Sequence, residues 1–84
     1  MRDYQNKIID AVRSKKNWGG SNVVVLTDQN ITRVAYYGNV IGVIDHNNKT
    51  CKLDNCGYSN ASTTARINAI KTAVDDLGYK VSVV

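Results

Sequence analysis

In the first sixteen residues, apolar side chains return at intervals of three and four: Tyr4, Ile8, Ala11 and Val12 fall on one side of a helical wheel. This spacing predicts an amphipathic helix. Asp3 is the expected N-cap, and Arg13, Lys15 and Lys16 sit near the end, where cations meet the negative pole of the helix dipole. The next six residues, Asn17-Trp18-Gly19-Gly20-Ser21-Asn22, break the period with paired glycines and short polar side chains. They read as a loop with one buried anchor, Trp18.

From Val23 the residues turn β-branched and aromatic. The runs VVVLT, ITRVAYY, VIGVID and TCKL are each short enough for a strand. Asp28-Gln29-Asn30, Gly38-Asn39 and His46-Asn47-Asn48 lie between them and are turn signals of the kind that joins antiparallel strands. Gly38 suits the positive φ at the first position of a type II′ turn. Beyond Gly57, the stretch Ser59-Asn60-Ala61-Ser62 offers several capping side chains for a second helix running to about Leu77. Ile67, Ile70, Val74 and Leu77, with Ala73 beside them, form its apolar stripe, and Gly78 is the expected C′ residue. YKVSVV alternates as a terminal strand.

The expected fold is a single α+β domain over residues 1–84 in the order α-β-β-β-β-α-β. An antiparallel sheet of four to five strands would carry both helices mainly on one face. The other face is then open. Ile31, Val40 and their alternate neighbours leave it partly apolar, which suits a homodimer or a protein partner.

Composition narrows the class further. With 84 residues, 43% hydrophobic and 21% charged, the chain is an ordinary globular domain and neither a disordered nor a fibrous one. Lys and Arg exceed the acids, all of them Asp, by a net charge of +4, and five of the basic residues lie in the first helix region. Such an excess favours acidic partners. The longest apolar run, Val23 to Leu26, is too short to span a bilayer, so no membrane partner is expected. The N-terminal residues have helical periodicity and lack a secretory pattern, which points to the cytoplasm, with Cys51 and Cys56 reduced.

Three stretches, KKNWGGSNVVV, YYGNVIGVID and CGYSNASTTARINAI, together resemble a family of small proteins encoded by tailed bacteriophages. The matching residues are Trp18, Ser21-Asn22, Gly38-Asn39 and Gly57-Tyr58. In the last motif, Thr63-Thr64-Ala65-Arg66-Ile67-Asn68-Ala69 has one residue fewer between the threonines and the arginine than the family pattern. The resemblance spans roughly residues 15 to 71 and brings no catalytic residues with it. It implies a phage origin and action in the cytoplasm of the host.

Candidate chemistry is sparse. His46, Cys51 and Cys56 form an H-x4-C-x4-C array to which Asp45 or Asp54 could add a ligand. The close cysteine pair of a zinc knuckle is missing, so neither metal nor cofactor is expected and Cys51 is read as a buried apolar residue. A nucleophile would need a neighbouring base, and the single histidine lies in a turn. The expectation is a non-enzymatic accessory protein that binds a host protein or nucleoprotein complex, a CRISPR effector being one such target. The site expected for that partner combines Ser62, Thr63, Thr64 and Arg66 at the start of the second helix with Tyr58 and Trp18. The alternative is a largely sequence-independent nucleic-acid-binding domain using Arg13, Lys15, Lys16, Lys49, Lys52 and Lys71.

Overall fold

The computed structural model describes residues 1–84. The elements are α1 (Asp3–Ser14), β1 (Trp18–Gly20), β2 (Val23–Asp28), β3 (Ile31–Tyr36), β4 (Asn39–Asp45), β5 (Thr50–Leu53), α2 (Ala61–Asp76) and β6 (Lys80–Val83). All six strands form one sheet in sequence order. The class is α+β, as the sequence predicts, but the sheet is larger than four to five strands and is not purely antiparallel.

Two departures account for the difference. Trp18–Gly20, expected as a loop, is an edge strand paired antiparallel with β2, Trp18 lying opposite Val25 and Gly20 opposite Val23. Its glycines are used for close approach: a Cβ on Gly20 would lie 2.7 Å from the Trp18 ring. The terminal strand β6 pairs in parallel with β5, because a parallel neighbour needs a crossover connection and α2 supplies it.

Strands β1 to β4 are joined by three two-residue turns. Ser21 and Asn22, Gln29 and Asn30, and Tyr37 and Gly38 all have positive φ, between 49° and 79°. Positive φ at both central positions is the type I′ geometry, whose twist matches that of the flanking strands. The third turn therefore sits one residue earlier than the expected Gly38-Asn39 and is not type II′. Asn39 instead opens β4, opposite Tyr36.

Both helices cover one face of the sheet. The core joins Ile8, Ile9, Ala11 and Val12 of α1, Ala69, Ile70, Ala73 and Val74 of α2, and Val23, Val25, Val34, Ile41, Ile44, Cys51 and Leu53 of the strands. A bulge in β4 sets Val34 opposite Gly42 and Ala35 opposite Val40, which turns both Ile41 and Gly42 toward the helices. There a Cβ on Gly42 would meet Ile70 Cδ1 at 2.9 Å, so the missing side chain lets α2 settle on the sheet.

Local details correct several helix expectations. Arg2, not Asp3, is the N-cap of α1, and its backbone N–H donates to Gln5 Oε1 at 3.0 Å. Asn60 caps α2, accepting from the Thr63 N–H at 2.9 Å. The buried stripe of α2 runs through Ala69, Ile70, Ala73 and Val74, while Ile67 is half-buried and Leu77 is exposed. Gly78 takes the expected left-handed conformation, with φ of 74°.

Candidate functional site

The sequence places its partner site at the start of α2, and the fold builds a cleft there. It has a volume of about 290 Å³ and is lined by Tyr36, Tyr37, Asn39, Ile41, Tyr58, Asn60, Ser62 and Thr63. Two local devices hold its walls. The I′ turn presents Tyr37, whose hydroxyl accepts from Asn22 Nδ2 at 2.9 Å and whose ring centroid lies 4.7 Å from that of Tyr36. The segment before α2 is pinned by side-chain-to-backbone bonds: the Cys56 N–H donates to Asp54 Oδ1 at 2.8 Å and the Gly57 N–H to Asn55 Oδ1 at 3.0 Å. These bonds, with the Tyr58 N–H donating to the Asn55 carbonyl at 2.9 Å, swing Tyr58 to the cleft. Tyr37 is 67% exposed and Tyr58 52%, so both rings are accessible.

Of the six residues expected to form this site, Tyr58, Ser62 and Thr63 line the cleft. Thr63 is buried, so it contributes to the floor. Thr64 is exposed but outside the lining, and its N–H is taken by the Asn60 carbonyl at 3.1 Å. Trp18 does not join the cleft either; it packs half-buried against the core from β1.

Arg66 requires a larger correction. It is 8% exposed and reaches neither a partner surface nor an aspartate. Its guanidinium lies between two tyrosine rings, 4.4 Å from the Tyr4 centroid and 4.2 Å from that of Tyr36. Nη1 donates to the Ser62 carbonyl at 3.0 Å and Nη2 to the Ser21 carbonyl at 3.2 Å. Ring quadrupoles and carbonyl dipoles thus take the place of a carboxylate. The residue ties α1, α2, the β1–β2 turn and β3 together, and it backs the cleft through Tyr36. Nothing in the sequence spacing announced its contact with Tyr4, sixty-two positions earlier.

Tyr36, Tyr37, Asn39, Ile41 and Asn60 are the lining residues that the sequence reading did not assign to the site. The pair Tyr36-Tyr37 preceding Gly38 carried the available signal, since a turn there exposes one ring beside the other.

The six cations of the nucleic-acid alternative do not share one surface. Arg13 forms an ion pair with Asp76. Lys15 caps α1 and donates to Asn30 Oδ1 at 3.3 Å, beside the β2–β3 turn. Lys16 follows it, and Lys49 lies in the β4–β5 turn. Lys52 projects from the sheet face opposite the buried Cys51 and Leu53, whereas Lys71 is exposed on α2, on the helical side.

The H-x4-C-x4-C array is dispersed as well, and no three metal-binding side chains gather. His46, in a turn by sequence, is buried: Nε2 is 2.7 Å from the Thr32 hydroxyl and Nδ1 is 2.9 Å from that of Tyr79. Burial, and then the charge of Lys15, hold its pKa below the usual 6.5. Burial pushes the Cys51 thiol up to about 11, which keeps it protonated and unreactive at neutral pH. Cys56 lies on the cleft side of the fold, its Sγ donating to the Val40 carbonyl at 3.3 Å. Both cysteines are free, and no helix is long and apolar enough to cross a membrane.

No curated protein and no solved structure matches the chain at a significant level. A family model does match, the Kyanoviridae Gp96 protein, and it does so over residues 1–83. That span takes in both helices and every strand, so the chain belongs to this family of phage proteins.

Proposed function

We propose that this protein is a small, non-enzymatic phage accessory protein that binds a host macromolecule, and that the tyrosine-walled cleft is where it does so. The observation that carries this reading is the cleft itself: Tyr37 and Tyr58 stand exposed on backbone pinned by hydrogen bonds, and Asn39 and Ser62 line the same cleft. Rigid, amphipathic tyrosines give large contact area at low cost in side-chain entropy, and they are prominent among the residues that dominate protein interfaces. The polar lining is amide and hydroxyl, suited to hydrogen-bonded recognition. Acid–base chemistry would call for a titrating group, and the single histidine is engaged with Thr32 and Tyr79 beyond the far end of β4.

A host protein or nucleoprotein complex is the partner class this reading favours, with defence complexes such as CRISPR effectors among the targets and the host cytoplasm as the place of action. The dispersal of the six cations gives the nucleic-acid alternative no comparable focus. The test is quantitative affinity capture from infected host lysate with the natural chain and with Tyr58→Ala. A protein retained by the first and lost by the second is the expected result. Equal recovery by both, or recovery of nucleic acid alone in a manner abolished near 200 mM salt, would overturn it.

A further inference from the structure

The sheet face away from the helices carries a second surface, independent of the cleft. Because directly paired residues share a face, the registers lay out its centre as three short rows. Val24, Ala35 and Val40 form the first, Leu26, Arg33 and Val43 the second, and Asp28, Ile31 and Asp45 the third. Arg33 is therefore the middle of the grid. Leu26 and Val43 flank it across the strands, and Ile31 and Ala35 precede and follow it on its own strand and face. Val24, Leu26 and Val40 are exposed, Leu26 by 53%.

Arg33 has no ion-pair partner; the chain's ion pair is Arg13 with Asp76. The two acids on its diagonals, Asp28 and Asp45, form no ion pair with it. Asp45 is, moreover, already engaged: Oδ1 accepts from the Asn47 and Asn48 N–H groups at 3.0 and 3.1 Å, and Oδ2 accepts from Asn48 Nδ2 at 2.9 Å. Lys52 and Lys80 add positive charge toward β6. An unpaired guanidinium ringed by accessible aliphatic groups is a form that interface centres take, since apolar surroundings strengthen a charge-assisted bond once water leaves.

We infer that this open face docks a protein segment that presents a carboxylate from within an apolar surface, the carboxylate meeting Arg33 and the aliphatic groups meeting Leu26, Val24 and Val43. A second copy of the chain fits less well. Any two-fold axis that centres the apolar patch brings Arg33 against its own counterpart, and like charges directly opposed are destabilising.

The test uses two synthetic amphipathic helical peptides that share a leucine face, one interrupted at its centre by glutamate and its twin by lysine. Each is titrated into the isotopically labelled full chain while amide resonances are followed. The expected result is binding of the glutamate peptide about tenfold tighter than its twin, with shifts centred on Leu26, Arg33 and Val43. Arg33→Glu should reverse the preference while leaving the melting temperature unchanged. Equal binding of the twins, shifts confined to the cleft or the helical side, or no binding of either peptide would overturn the inference. So would sedimentation of the natural chain as a dimer that Leu26→Asp dissociates, which would assign the face to a second copy. None of these readouts involves Tyr58, so the cleft proposal and this one fail separately.

Discussion

Arg33 and Arg66 lie on opposite faces of the same sheet, and neither pairs with a carboxylate. Their surroundings give them different work. Arg66 is enclosed by Tyr4, Tyr36 and two carbonyls, so its charge is met inside the molecule, with Nε alone left without a hydrogen-bond partner, and it serves to join elements. Arg33 is exposed on the open face, with aliphatic residues opposite it on both neighbouring strands and no ion-pair partner, so its charge is left for something outside. Type and exposure of the neighbours, and not the residue itself, separate a structural arginine from a recognition arginine.

Unfolding experiments should break or sharpen that contrast. The largest effect is expected for Arg66→Ala, which empties the space between two rings and strands the Ser21 and Ser62 carbonyls. A loss of about 3 kcal/mol is expected in urea unfolding, against less than ~0.5 kcal/mol for Arg33→Ala. Equal losses would mean that Arg33 is also part of the fold. The aliphatic groups supply the next comparison, in two neighbours of β2. Val25→Ala, from the fully buried side, should cost about 2 kcal/mol through lost contacts and a cavity, whereas exposed Val24→Ala should change stability by a few tenths. A large loss at Val24 would show that the open face is already covered in solution.

The smallest effect is the pH dependence of His46. Its folded pKa lies below the 6.5 of the unfolded chain, because burial disfavours the imidazolium. The unfolded state then binds the proton more readily, so the contribution is complete above about pH 6.5 and declines as the pH falls toward the folded value. Urea midpoints measured from pH 7.5 to 5 should fall for the natural chain and change less for His46→Gln. A flat profile for both would show that His46 titrates alike in the two states.

Much of this was legible along the chain. Apolar residues recurring at three and four in α1 place side chains on one face through backbone geometry alone, and Ile8, Ala11 and Val12 of that face are buried as expected. Gly78 ends α2 as expected for the same reason, since only local conformation is involved. Trp18–Gly20 was misread because its glycines have poor strand propensity, while pairing with β2 and cover from the Trp18 ring outweigh that preference. The one-residue shift of the Tyr37-Gly38 turn followed from the same cause: strand register, set by pairing, overrode the residue type that favours Gly first.

By itself, then, the sequence determined the two helices, the strands from Val23 to Leu53, the terminal strand and the resemblance to a phage family, because each depends on neighbours in the chain or on residue order. Tertiary structure decided what those elements meet. Tyr4 reaches Arg66, Tyr36 and Tyr37 come to line one cleft with Tyr58, and Arg33 comes to the centre of an aliphatic grid only when helices and strands distant in sequence pack in one arrangement. The energy of those meetings depends on burial and on which groups are left unpaired, quantities that exist only once the chain has closed on itself.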